Sequence, residues 1–359
     1  MDFGLSEEQV LLTDSVSRLL AECAPLERTR RFAESLESRA VDVWGALADQ
    51  GVTGLVIDET QGGSGLGLLD AALVAEVLGR HVAPVPFVAS CVLAPHALAH
   101  AGSPAQQNEW LPRLASGERV VGAALSEHCG AREDAGVTAH GGRLEGRALF
   151  VLDFEADAYL VASHDGALHL VSADAAGLER TPLVTIDRSR RVGELRFTGV
   201  PADTLPGSAD GHVLAALIAR GRVMHAADSL GAAQHMLDQA VAYAGTREQF
   251  GRKIASFQAV KHLCADMASQ LEPCRALLWY AAYAQDALPD EAALYACHAK
   301  AHLAEVGSFV ARTATEVHGG MGFTDLLGLH YWFKRIGLNR QLLGSPERAR
   351  EDAARLQGL

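Results

Sequence analysis

Two long apolar-periodic segments meet at a short break centred on Phe250-Gly251, and that junction limits what the C-terminal half can be. One segment, Val213 to Tyr243, runs into the break. Beyond it, Val260, Leu263, Cys264, Met267, Leu271, Cys274 and Leu278 recur at helical spacing on one face. Two helices of this length joined by a tight glycine turn lie antiparallel. The turn gathers Arg247, Arg252 and Lys253 beside an aromatic residue. Guanidinium groups fork onto phosphate oxygens, so such a corner suits a phosphate-bearing ligand. Taken in isolation it reads as a solvated basic loop.

From the start, Ser6-Glu7-Glu8-Gln9 has the form of a capping box. Leu12, Val16, Leu19, Leu20 and Cys23 then form a helical stripe that stops at Pro25. A second helix runs through Val43, Trp44, Leu47 and Ala48, and a third covers Leu69 to Leu78 after the Gly62-Gly63-Ser64-Gly65 loop. That loop lacks the spacing of a phosphate-binding loop and reads as a turn. From Val120 to about Pro206 the period changes. Ala158–Ala162, Leu168–Ser172 and Glu194–Phe197 are short and β-rich, Asp165-Gly166 signals a hairpin, and Gly141-Gly142 signals another turn. The pattern predicts a mainly α, α+β chain: an N-terminal helical domain (1–119), a middle β-domain (120–206) and a C-terminal helical bundle (207–359).

A chain of 359 residues with 49% hydrophobic content can bury a large core. Its net charge of -13 argues against nucleic acid or an anionic membrane as partner. The six cysteines show neither a C-x-x-C pair nor metal-ligand spacing, and no metal is expected. Asp2, Glu7 and Glu8 stand where a secretory signal would be basic, and no apolar run is long enough to span a bilayer. A cytoplasmic location is expected.

Arg247-x-x-Phe250-Gly251, followed by Phe257-Gln258-Ala259-Val260-Lys261-His262, resembles the flavin-binding motif of the acyl-CoA dehydrogenase family. Glu316-Val317-His318-Gly319-Gly320-Met321-Gly322-Phe323 resembles the family's Gln-x-x-Gly-Gly-x-Gly segment. The order of domains agrees, and the resemblance covers nearly the whole chain. It implies a β-barrel middle domain, FAD as cofactor and an acyl-CoA thioester as substrate. FAD would lie between the β-domain and the C-terminal helices of a neighbouring subunit. A Glu would remove the α-proton while the β-hydride passes to the flavin, and an electron-accepting flavoprotein would take the electrons. The resemblance puts Arg247 on the FAD phosphates and Phe250, Phe257 and Gln258 along the cofactor. The Gly319-Gly320 backbone would stand close against it. Leu125 and Ser126 fall on the strand that meets the flavin.

This chain departs from the family at several places. Glu316 replaces the motif's Gln, a carboxylate that must turn away from a pyrophosphate or be paired. Ser126 replaces Thr, and His128 replaces the Pro that follows. Ala131-Arg132-Glu133-Asp134 stands where the family touches CoA, and Leu152 replaces a Thr near the flavin. The catalytic Glu is missing from both places where the family carries it. One place is Leu343 or Gly344, and the other is Gly221. Glu347 lies about one helical turn from the first and reads as a helix-start residue after Pro346. His262, His318 and His330 are chemically able to act as bases but read as structural.

Three functions remain in view. The chain is a base-lacking subunit that forms a hetero-oligomer with a base-bearing relative, as in paired-subunit members that shorten sterol side chains. Alternatively it is a self-sufficient homo-oligomeric dehydrogenase with its base elsewhere, or a structural homologue that binds no flavin. Retention of Arg247, Gly319 and Gly320 together with loss of the base favours the first.

Overall fold

Ser6 opens the first helix as its sequence implies. Its Oγ accepts from the Gln9 N–H at 3.1 Å, and the Gln9 amide oxygen accepts from the Ser6 N–H at 3.0 Å. The computed structural model describes residues 4–130 and 135–359. Helices α1 (Glu7–Cys23), α2 (Leu26–Glu34), α3 (Val41–Asp49), α4 (Leu68–Arg80), α5 (Ala94–Ala101) and α6 (Pro104–Ala115) precede the strands. A π-helical stretch, Val88–Leu93, leads into α5 with every residue buried.

Among the described residues, eight of the strands form two four-stranded sheets. One has the order β1 (Val121–Ala124), β4 (Ala158–Ala162), β5 (Leu168–Ser172) and β8 (Asp203–Thr204), with β1 and β4 parallel. The other runs β2 (Gly136–His140), β3 (Arg143–Val151), β7 (Val192–Pro201) and β6 (Leu178–Leu183), antiparallel throughout. A backbone bridge between Ala123 and Leu152 ties the two sheets together. Gly141-Gly142 turns β2 into β3, and Asp165-Gly166 lies in the loop between β4 and β5.

Helices α7 (His212–Thr246), α8 (Gln258–Ala287) and α9 (Pro289–His318) make the bundle, with α10 (Leu329–Gln341) and α11 (Pro346–Leu356) against it. Between α7 and α8 the chain forms a small hairpin, β9 (Glu248–Gln249) with β10 (Arg252–Lys253). Phe250 and Gly251 both take positive φ, 54° and 74°, the geometry of a two-residue type I′ turn. Helix α4 crosses α7 with backbones in contact. A Cβ on Gly231 would lie 1.8 Å from the Glu76 carbonyl oxygen, and one on Gly79 would lie 1.9 Å from that of Asp228.

That crossing places Asp228 at the junction of all three regions. Its buried carboxylate accepts from Arg335 Nη2 at 2.8 Å, Arg190 Nη2 at 2.7 Å and Asn339 Nδ2 at 2.6 Å. Arg190 comes from the β6–β7 loop, and Arg335 and Asn339 come from α10. Arg335 also donates to the Ala83 carbonyl, just beyond α4, at 3.2 Å. Burial opposes the charge on Asp228, but Arg190 and Arg335 outweigh it and hold the carboxyl well below the usual carboxylate range.

Candidate functional site

The residues singled out in the sequence fall into two groups at different places. The first is a surface around the α7–α8 hairpin and the end of α9. Arg247 caps α7, its N–H bonded to the Tyr243 carbonyl at 2.8 Å and its own carbonyl accepting from Ile254 N–H at 2.9 Å. Among the described residues nothing pairs with its exposed guanidinium. Phe250 is 92% exposed at the hairpin tip and meets the Phe257 ring edge-on at 6.1 Å. Arg252 lies over the Phe257 ring at 4.0 Å. Gln258 opens α8 and is exposed.

Tyr243 and His318 pack with their rings tilted and centroids 4.7 Å apart, which joins the end of α7 to the end of α9. Glu316, Gly319 and Gly320 are exposed there. Gly319 has φ 59° and ψ -139°, a conformation open essentially to glycine alone. Gly320 has ordinary backbone, and a Cβ on it would meet nothing within 4 Å. Among the described residues, then, no contact requires glycine at 320.

The second group surrounds a cleft of 610 Å³ between the β-sheets and the α10–α11 corner. Ser126 and Phe150 line one wall, and Val184, Thr185 and Ile186 of the β6–β7 loop line another. Leu338 and Gln341 of α10 and the corner residues Leu342 to Ser345 complete it. The Ser126 hydroxyl donates to the Phe150 carbonyl at 3.2 Å. Leu125 is fully buried and does not line the cleft. Leu152 faces inward, towards a small cavity shared with Asp153 and His225. Arg132 and its neighbours 131–134 lie outside the described residues.

The two empty base positions meet in space. A Cβ on Gly221 would lie 2.2 Å from Leu343 Cδ1, with Leu93 next at 3.6 Å. Leu343 is buried with φ 54°, and Gly344 follows with φ 101°. Two buried cations hold this corner from behind. Lys300 donates to the Leu342 carbonyl at 2.7 Å and to the Asn339 carbonyl. Arg222 donates to the Leu343 carbonyl at 3.0 Å and to Asp352 at 2.6 Å. Burial pulls the Lys300 ammonium down to about 7, and nearby Arg222 adds to that. Neither residue was singled out in the sequence. A cation on an alanine-rich helix reads as solvated, and only the fold reveals the carbonyls it serves.

The other candidate bases stand elsewhere. Glu347 is exposed, accepts from Arg340 Nη2 at 3.0 Å and does not line the cleft. Its own backbone N–H and Ser345 lower its carboxyl pKa, as suits a helix start. His318 bonds the Ala314 carbonyl at 2.7 Å, His330 pairs with Asp325 at 2.7 Å, and His262 is exposed.

The cleft and the Arg247 surface lie far apart. Gly221 and Thr246 are 25 residues apart on α7, roughly 38 Å at 1.5 Å per residue. No flavin nucleotide spans that distance, so one cofactor cannot use both groups within one chain.

Residues 6–118 match the acyl-CoA dehydrogenase N-terminal domain, and residues 211–357 match the acyl-CoA dehydrogenase C-terminal domain. Acyl-CoA dehydrogenase FadE27 of Mycobacterium tuberculosis is 34% identical over 347 residues, 93% of this chain and 92% of that one. A chain of the ChsE4-ChsE5 complex from Mycobacterium tuberculosis superposes with a TM-score of 0.91 at 30% identity, covering 100% of this chain and 99% of that one. A chain of the Tcur3481-Tcur3483 steroid ACAD does so with a TM-score of 0.88 at 30% identity, covering 98% of each.

Proposed function

This chain belongs to the acyl-CoA dehydrogenase family, and we propose that it acts there as the subunit without a base, completing the FAD site of a base-bearing relative. One observation carries the reading: Leu343 packs onto Gly221, so hydrocarbon occupies the place of the family's carboxylate. Among the described residues no Asp or Glu lines the cleft. Among the described residues the Arg247 surface, in contrast, offers an unpaired guanidinium and a glycine at 320 that no contact requires. Both features suit a group arriving from outside. The separation along α7 means that a cofactor at Arg247 would use the cleft of another chain.

FAD, when bound, supplies the acceptor for the substrate's β-hydride. This chain's part is binding and orientation. Arg247 forks onto the pyrophosphate, Phe250, Phe257 and Gln258 pack along the cofactor, and the Gly319-Gly320 backbone approaches it. Glu316 stays turned to solvent. The α-proton falls to the partner's Glu. The substrate is an acyl-CoA thioester, and the steroid ACAD among the relatives favours a sterol-derived acyl group. An electron-accepting flavoprotein reoxidises the pair. All three regions of the chain, 1–119, 120–206 and 207–359, take part in the assembly.

Flavin analysis of the chain produced alone and together with a base-bearing relative tests this. Alone, it should carry little FAD and leave acyl-CoA thioesters unchanged. Together, the pair should form a yellow hetero-oligomer with about one FAD for each pair of unlike chains, active only while the partner keeps its Glu. A homo-oligomer of this chain, fully loaded with FAD and reducing an acceptor on addition of acyl-CoA, would overturn the reading.

A further inference from the structure

We propose that the cleft of this chain is a ligand site in its own right, holding an apolar carboxylate that is bound and not turned over. This rests on the reading above, in which the reacting cleft is the partner's. The space of 610 Å³ falls among small-molecule sites, which run from roughly 300 to 1,000 Å³. Its walls are largely hydrocarbon, from Phe150, Ile186, Leu338, Leu342 and Leu343. Ile186 is 62% exposed at the mouth, and its neighbour Val184 89%, apolar surface that a bound apolar body would cover.

The charges select the sign of the ligand. Among the described lining residues none is acidic and one, Arg348, is cationic. Arg348 gives Nε to Asp352 at 2.9 Å, and among the described residues its two terminal nitrogens have no partner. Asp352 also takes Arg222 at 2.6 Å and Arg355 at 3.6 Å, so one carboxylate answers three guanidiniums in contact with it. Lys300, behind the same corner, binds only carbonyl oxygens. Burial disfavours the charge on Lys300, so the surplus positive charge beside the hydrocarbon wall belongs to the guanidiniums at Asp352. An amphipathic anion satisfies both: its carboxylate lies against Arg348 while its alkyl or ring body lies along Phe150, Ile186 and Leu338. An oxidised flavin ring brings no charge for Arg348, and the Ser126 hydroxyl already donates to the Phe150 carbonyl. Among the described lining residues there is no carboxylate or histidine with which to deprotonate what the site binds.

Decanoate, titrated calorimetrically into the full chain alone and into its complex with the base-bearing relative, tests the site. One saturable decanoate site per copy of this chain is expected, with FAD content unchanged. Arg348→Met and Ile186→Asp, both at partly exposed positions, should each weaken that site roughly tenfold or more with the melting temperature kept. Any decanoate site on the partner should be unaffected by either substitution. Absence of saturable binding, binding that neither substitution weakens, or one FAD per copy of this chain would each overturn the proposal. The two readings fail separately. One FAD per unlike pair without decanoate binding removes this site alone, whereas decanoate binding by a chain that takes no partner removes the partner reading alone.

Discussion

Arg247→Ala isolates the cofactor surface from the stability of the chain. The guanidinium is exposed and unpaired among the described residues, and the two backbone hydrogen bonds of residue 247, at 2.8 and 2.9 Å, survive the substitution. Surface changes of this kind usually alter stability by about 0.5 kcal/mol or less. The melting temperature of the chain alone should therefore hardly move. Loss of a charge-assisted hydrogen bond to a phosphate costs roughly 1.5–3 kcal/mol. At about 1.4 kcal/mol per decade this corresponds to roughly a 10- to 150-fold weaker flavin site. The measurement is a flavin titration of the apo hetero-oligomer, with wild-type and variant chains side by side and the melting temperature recorded for each. Unchanged flavin affinity would refute the assignment of Arg247 to the pyrophosphate. A large fall in melting temperature of the unpartnered chain would refute the claim that its guanidinium does nothing within the fold.

Glu347→Gln should leave turnover of the complex nearly intact, because Glu347 faces solvent and Arg340 rather than the cleft; a loss of several orders of magnitude with flavin still bound would show it to be the base. Asp228→Asn should destabilise the chain by about 3–5 kcal/mol at neutral pH, since Arg190 and Arg335 would remain buried without their counter-charge. The folded carboxyl lies below its unfolded value, so its contribution is full above about pH 4 and is lost as the pH falls below that. Melting curves of wild type and variant should accordingly converge towards acid, and a gap independent of pH would count against the network.

Local signals were legible wherever a short run of residues specifies its own geometry. Ser6 with Gln9, Asp165-Gly166 and the Phe250-Gly251 break each announce a cap or turn that the structure contains. Residues 88–101 announced nothing, because the π-helical stretch and much of α5 are buried on every side and show no polar face to set a period. Phe250 could be read as a turn residue, but not as one with positive φ, which is uncommon for a bulky side chain. At the candidate site, Gly221 and Leu343 were each legible as a place without a carboxylate. That they touch was not, because no local pattern couples positions so far apart in the chain. The charges behind the corner were hidden for the same reason: Arg222, Lys300 and Asp352 sit on three different helices, and only packing brings them to one place.

The contact between Gly221 and Leu343 also makes the two positions unequal as places for a carboxylate. A side chain at 221 must displace the Leu343 side chain, because its Cβ would lie 2.2 Å from the leucine methyl. At 343 a leucine-sized space is already open, and Leu343→Glu needs no prior change in its neighbour. Position 221 becomes available when the Leu343 side chain turns away or residue 343 is smaller. The two routes to a carboxylate are therefore unequal: one replaces the side chain at 343, and the other must also move it.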